Sequence, residues 1–487
     1  MKSFRSKTSY FMTKYTNQGS LKYVMSITLV ATLGGLLFGY DTAVISGTIG
    51  SLEKFFIEPF GLAKSAANSM LGRVVSSALI GCIIGGLIGG YVSLKLGRRK
   101  GLMLAAVLFL FSAIGSAMPE IFFSPIGKGD HSYVNHFIIY RVIGGMGVGL
   151  ASMLSPMYIA EIAPAHIRGK LVSLNQFAII LGMLVVYFVN YSIARQGDDA
   201  WLNTIGWRWM FGSEVLPASF FLIFLFFVPE SPRYLVLQNQ PEQALKVLAR
   251  VNGLIKANEV LEEIKSTVIH KPGKLFSYGM LIIFIGIMLS VFQQFVGINV
   301  VLYYAPEIFK NMGSGTDTAL FQTIIVGVIN LSFTVIAILA VDKIGRKPLQ
   351  IIGALGMAVF MFALGFAFYL NRLGIGAIIF MLGYIACFAI SWGPVVWVLL
   401  SEIFPNRIRG RAMAVAVAAQ WISNYLVSWT FPMMDKSSYL TGLFNHGFAY
   451  WIYGTMGLLA AFFMWKFVPE TKGKTLEEME NLLIRRK

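Results

Sequence analysis

The sequence predicts an all-α membrane protein with twelve transmembrane helices in two six-helix halves, joined by a short helical linker. Three observations predict it. Of the 487 residues, 56% are hydrophobic and only 13% are charged, whereas a soluble globular chain carries about 25% charged residues. Twelve apolar stretches recur along the chain, each near the roughly 20 residues that a helix needs to cross a bilayer. Finally, the two groups of six stretches carry the same polar punctuation at an offset of about 240 residues, the mark of an internal repeat.

Residues 1–22 are polar and basic, with Lys2, Arg5, Lys7, Lys14 and Lys22. The apolar run that follows is full-length and lacks a small-residue cleavage site, so it reads as a first span and not as a signal peptide. The first half is expected to span at about 24–47, 69–94, 101–118, 135–160, 171–193 and 208–228. The second half follows at about 277–305, 318–341, 348–369, 374–401, 411–434 and 447–467. This divides the chain into an N-terminal bundle (1–229), a cytoplasmic linker (230–274), a C-terminal bundle (275–468) and a cytoplasmic tail (469–487). Within the linker, Pro241 suits a first helical turn. Leu245, Leu248 and Val251 repeat at helical spacing, and Asn252-Gly253 supplies a stop. The linker reads as a tie between the halves, without chemistry of its own.

The net charge is +17, and its distribution decides what it means. With both termini in the cytoplasm, three quarters of the 40 Lys and Arg fall in cytoplasmic segments, as the positive-inside rule requires. Basic charge is then an insertion signal, and nucleic acid is excluded as a partner. Cys82 and Cys387 lie far apart in apolar segments, which argues against a disulfide framework. The five histidines (131, 136, 166, 270 and 446) have no metal-ligand spacing, so no metal is expected. No phosphate-cradling loop motif occurs either. No cofactor and no covalent chemistry follow.

The halves match at three places. Glu161-Ile-Ala-Pro164 through Arg168-Gly169 closes the fourth stretch, and Glu402-Ile-Phe-Pro405 through Arg409-Gly410 closes the tenth. Gly97-Arg98-Arg99 is answered by Gly345-Arg346-Lys347, and Val228-Pro229-Glu230 by Val468-Pro469-Glu470. A parallel repeat of six and six is the plan of transporters that rock two halves about a central site.

The seventh stretch is unusually polar for a span: Gln293, Gln294, Asn299, Tyr303 and Tyr304 crowd its second part. An amide facing lipid has no hydrogen-bond partner, so these side chains must face a protein interior or a wet cavity. At 100° per residue the three amides do not share a face of an unbroken helix, and Gly297 between them permits a local unwinding. An amide both donates and accepts, as a hydroxyl does, so this row suits a neutral, hydroxyl-rich ligand.

Taken together, Gly39-Tyr40-Asp41 through Gly47, Gly97-Arg-Arg, Arg141-Val-Ile-Gly-Gly, Pro229-Glu-Ser-Pro-Arg233, Gln293-Gln-Phe-Val-Gly-Ile-Asn299, Asp342-Lys-Ile-Gly-Arg346-Lys and Pro469-Glu-Thr-Lys-Gly473 resemble the sugar porter family of the major facilitator superfamily. The resemblance covers nearly the whole chain. Its second half looks most like the bacterial xylose–proton symporters. The resemblance implies sugar contacts at Phe38, Gln176, Gln293, Gln294, Asn299, Tyr303, Asn330, Gly393, Trp397, Gln420 and Trp421. Interhelical hydrogen bonds are the competing role for any one of the amides, and core packing for the two tryptophans. One position departs: Met183 stands where the xylose symporters carry a second amide, two turns after Gln176. An adaptable apolar side chain there bears on substrate preference.

Asp41 in the first span is an intramembrane carboxylate, functional by default, and its natural partner is Arg141 in the fourth. Proton-coupled members of the family carry an acid at the position of Asp41, which implies proton coupling there. A permanent ion pair is the alternative. Glu214 in the sixth span is a second candidate for the proton path. The family's cytoplasmic charge network would fall on Arg98, Arg99, Glu161, Arg168 and Glu230, and on Arg346, Glu402, Arg409 and Glu470. Leu94 stands where the superfamily often has Asp, whereas Asp342 fills that place in the second half.

The expected protein is a monomeric secondary active transporter of the cytoplasmic (inner) membrane, importing a monosaccharide with a proton by alternating access. Xylose is the favoured sugar. A facilitator that uses no proton is the nearest alternative. A non-transporting sugar sensor is the other, which would be expected to carry a longer cytoplasmic tail than the residues after Thr475.

Overall fold

The structure, a computed structural model, describes residues 19–472 except 126, 128, 165–166, 269–274, 277 and 406–407. His166, His270 and the tail from Gly473 lie outside the described residues. The first five spans are Leu21–Val44, Lys64–Lys95, Arg98–Ala117, Val134–Ile162 and Arg168–Ala194. The sixth is interrupted, as Trp207–Gly212 and Val215–Leu225. The seventh comes in three pieces, Met280–Phe295, Ile298–Tyr303 and Ala305–Asn311. Thr316–Ile344 and Arg346–Tyr369 form the eighth and ninth, Ile375–Ile390 with Val395–Ile403 the tenth, Arg409–Asp435 the eleventh and Phe448–Phe467 the twelfth.

Eleven of the described helical stretches are long and apolar enough to cross a membrane. The eleventh span is long enough, at 27 residues, but more polar. Its Gln420, Ser423, Asn424 and Ser428 are buried inside the bundle, which removes the cost of meeting lipid. Leu87, Tyr91, Phe227 and Trp465 are instead more than half exposed. An apolar surface of that kind belongs in hydrocarbon.

The linker forms three helices, Pro232–Leu237, Pro241–Asn252 and Leu254–Val268. Pro241 opens its helix, and Gly253, at φ +82°, follows the last residue. Leu235, Ala244, Leu248, Ala257 and Leu261 make the linker a small core of its own. The start of the first span is tied to it: the Ser20 amide donates to the Arg250 carbonyl at 2.9 Å. This end of the bundle is the linker face, and the opposite end the far face.

The second span packs on the eleventh and the fifth on the eighth, which brings the halves together. Three polar contacts join them toward the far face. The Trp429 indole donates to the Ser69 carbonyl at 3.2 Å, and the Tyr187 hydroxyl donates to the Leu302 carbonyl at 3.0 Å. Lys436 pairs with Glu53 at 2.5 Å.

Also on the far face, His446 Nδ1 lies 2.9 Å from Asp435 Oδ1, and the Asn311 amide donates to Asp435 Oδ2 at 3.1 Å. The hydrogen bond to Asp435 raises the His446 pKa above its ordinary value, with burial opposing it. A raised folded pKa gives stability that is fully present below the unfolded value, near 6.5, and lost as pH rises through the folded one. The purified protein is therefore expected to melt higher at about pH 6 than at about pH 8.5, by a margin that His446→Gln reduces. Identical pH slopes for the two proteins in a thermal scan would deny the pair this role.

Candidate functional site

The seventh span breaks where its sequence is most polar. Gly297 sits at φ +90°, a left-handed conformation that side chains strongly disfavour. A Cβ at Gly297 would also fall 2.6 Å from the Tyr453 ring. Glycine is needed there on both counts. The unwinding brings two of the amides together, with Asn299 Nδ2 donating to Gln294 Oε1 at 2.6 Å.

The tenth span breaks too, between Ile390 and Val395, where a continuous span from 374 to 401 was expected. The signal is Gly393-Pro394: proline lacks the N–H that would continue the ladder. Two main-chain carbonyls within the break take a side-chain donor. Gln293 Nε2 donates to the Trp392 carbonyl at 2.9 Å and more weakly to that of Gly393 at 3.3 Å. Gln293 and Gly393, on different spans, therefore meet directly.

Other expected residues gather from both halves. The rings of Phe38 in the first span and Trp421 in the eleventh lie 5.5 Å apart between centroids. Asn330, Gln420 and Tyr303 are buried. The Asn424 amide donates to the Tyr303 hydroxyl at 3.4 Å and is itself almost fully buried. The reading of the sequence missed Asn424, although its spacing of four from Gln420 puts both on one helix face. Gln176, on the fifth span, and Trp397, beyond the break of the tenth, are half-buried. No hydrogen bond joins Gln176, Asn330 or Trp397 to the other expected sugar contacts. Met183 is buried in the apolar core, its backbone amide near Gly39 of the first span.

Two of the expected sugar contacts, Gln293 and Gln420, have a buried amide oxygen with no donor among the described residues. Leaving such an acceptor unpaired costs about 1–3 kcal/mol, which a ligand bringing hydroxyl donors relieves.

A charged centre lies in the first half. Arg141 Nη1 donates to Asp41 Oδ1 at 2.6 Å, and Nη2 donates to the Asp41 main-chain carbonyl at 3.0 Å. Both side chains are fully buried, and the guanidinium lies over the Phe211 ring at 5.2 Å. Glu214, also fully buried, stands beside this pair at the interruption of the sixth span. Neither Glu214 oxygen, nor Asp41 Oδ2, has a hydrogen-bond donor among the described residues.

At the linker face the repeat becomes geometry. In the first half Arg98 pairs with Glu161 at 2.8 Å, and the Ser231 hydroxyl donates to the same carboxylate. Glu230 accepts from the Arg98 and Arg99 amides at 3.0 and 3.2 Å, capping the start of the third span. In the second half Arg346 pairs with Glu402 at 3.0 Å, and the Thr471 hydroxyl donates to Glu402 at 2.5 Å. Glu470 accepts from the Arg346 and Lys347 amides at 3.1 and 2.9 Å. Gly97 (φ +89°) and Gly345 (φ +102°) admit these carboxylates; a Cβ would meet them at 2.5 and 2.9 Å. The first cluster ties the first bundle to the start of the linker through Glu230 and Ser231, and the second ties the second bundle to the start of the tail through Glu470 and Thr471. Arg168 is exposed and outside the first cluster, and Arg409 donates to the Phe404 carbonyl at 3.2 Å. The Asp342 side chain lies outside the described residues, and Leu94 is exposed.

A family model described as sugar (and other) transporter matches residues 27–483. Over 474 residues, 96% of each chain, the sequence is 65% identical to the D-xylose-proton symporter of Escherichia coli (strain K12). It is 42% identical to the glucose facilitated diffusion protein of Zymomonas mobilis, over 96% of this chain and 99% of that one. The fold is similar to the inward open conformation of the xylose transporter from E. coli, with a TM-score of 0.86 at 63% identity, covering 94% and 99% of the two chains.

Proposed function

The chain belongs to the sugar transporter family, a multi-pass membrane protein and not an enzyme, and from that premise we propose that it imports D-xylose together with a proton by alternating access. The termini and linker lie in the cytoplasm on this reading, and the far face looks outward. The bundles 1–229 and 275–468 are the halves that rock, tied by 230–274. The observation that carries the sugar site is the double break: unwound backbone in the seventh and tenth spans sets Gln293 against the Trp392 and Gly393 carbonyls and Asn299 against the Gln294 amide. Gln176, Asn330, Tyr303 and Gln420 add polar contacts, and Phe38, Trp397 and Trp421 cover the apolar faces of a pyranose.

Coupling rests on charge count. Asp41 and Glu214 present two buried carboxyls to one guanidinium, Arg141, so the group is neutral only with a proton aboard. Protonation of Asp41 frees Arg141 and lets the first and fourth spans shift. The linker-face clusters move with their own halves. The test is sugar-induced alkalinisation of the medium around a non-transporting host expressing the protein, run with a panel of pentoses and hexoses. Alkalinisation with xylose supports symport; uptake without it would favour the facilitator reading.

Three substitutions probe the site. Gln293→Ala or Gln294→Ala should weaken sugar binding by about 1–3 kcal/mol, the cost of stranding a buried polar partner. Calorimetry on both purified variants showing wild-type affinity would remove these residues from the site. If Met183 borders the sugar beside Gln176, Met183→Gln should reorder the competition series among pentoses and hexoses. An unchanged series would place Met183 in packing alone.

A further inference from the structure

The Gln293 amide is held in one orientation by acceptors that cannot reverse. A backbone carbonyl only accepts, so the edge of Gln293 that faces the Trp392 and Gly393 carbonyls must be Nε2. Its Oε1 then points elsewhere, buried and without a donor among the described residues. Gln294 is different. Its partner is the Asn299 amide, and two paired amides can both turn over without losing their bond. Of the adjacent glutamines, only Gln293 has its polarity fixed.

What fixes it lies one layer further out. The carbonyls are available because the tenth span is interrupted at Ser391–Pro394. Such a break would wander without an anchor. Trp392 supplies the anchor: it is fully buried, and its indole Nε1 donates to the Gln350 carbonyl of the ninth span at 2.9 Å. One residue therefore reaches outward through its side chain to the ninth span and inward through its carbonyl to Gln293.

We propose that Trp392 is a positioning residue for substrate selection, pinning the break of the tenth span so that Gln293 can only accept a hydrogen bond from the sugar. This rests on the reading that Gln293 touches the sugar. The consequence is a polarity filter. One sugar hydroxyl must donate to Gln293 Oε1, and a ligand with fluorine or hydrogen at that carbon cannot do so. If the anchor is lost, the carbonyls drift and the amide is free to turn its Nε2 toward the ligand, which a fluorine tolerates better.

The experiment measures affinities of the full-length purified protein for xylose and each of its monodeoxy and monofluoro analogues. Wild-type protein should reject at least one fluoro analogue by about tenfold or more, the scale set by one lost buried hydrogen bond. Trp392→Phe keeps an aromatic ring and removes the indole N–H. It should cut that fluoro-to-parent ratio at least threefold while changing xylose affinity less. A merely structural role would weaken all ligands alike and leave the ratio standing, and that result overturns the proposal. Gln293→Ala separates the two levels: if it keeps the wild-type ratios, the failure belongs to the sugar-site reading. Should Trp392→Phe not yield folded protein, Pro394→Ala, which lets the break relax toward helix, is expected to lower the same ratio, and an unchanged ratio there counts against the proposal.

Discussion

Asp41→Asn protein is expected to bind sugar and exchange it across a membrane, yet fail to concentrate it. Asparagine keeps the size and hydrogen bonding of a protonated acid and removes the charge. Arg141 then loses its hydrogen-bonded carboxylate and keeps the main-chain carbonyl at residue 41, the Phe211 ring and the neighbouring Glu214 carboxyl. The halves can rock with sugar aboard, but no proton is carried at this position. Linkage requires that if protonation promotes the sugar-binding form, sugar promotes proton uptake by the same free energy. Membrane vesicles with and without an imposed pH gradient, beside a counterflow assay, measure both parts. Wild-type accumulation indifferent to the gradient would end the symport reading. An Asp41→Asn protein that still concentrates sugar would move the coupling site to Glu214 or elsewhere.

Removing the other partner should damage the fold as well as transport. Arg141→Met leaves the Asp41 carboxylate in a fully buried position with no cation beside it. Breaking a buried pair from one side costs about 3–5 kcal/mol, because the surviving charge has lost its compensation. Lower thermal stability of the purified protein is the expected result. Asp41→Asn added to Arg141→Met should recover most of the loss, since the double variant has no uncompensated charge at either position. A double variant as unstable as Arg141→Met alone would mean that arginine packing, not charge balance, was lost.

How much of this was legible in the chain depends on the range of the interaction. The break in the seventh span was readable because Gly297 lies among amides that one helix face cannot hold. The break in the tenth was passed over, since the run from 374 to 401 is apolar throughout and the Gly393-Pro394 signal is only two residues long. The partner of Gln293 lies 99 residues away on a carbonyl, a group that every residue has and no side-chain pattern announces. The linker-face arginines and glutamates were visible as a repeat. That Ser231 and Thr471 complete them was not, because a lone hydroxyl carries little signal. Asp41 and Glu214 stood out as carboxylates inside spans and Arg141 as the natural partner of Asp41, with the resemblance adding support at Asp41; the structure adds their burial and their arrangement.

The ion pair between Lys436 and Glu53 has a consequence for a cell in changing water. Its partners are 27% and 26% exposed, so mobile ions reach it. Salt shortens the reach of such a charge pair from about 8 Å at physiological strength to about 3 Å near 1 M. An exposed pair contributes roughly 0.2–1 kcal/mol, so its screening shifts the balance between carriers closed and open at the far face by no more than about fivefold. The shift acts from the far face alone and needs no sugar and no proton. In brine on that side, more of the carriers would stand open at the far face.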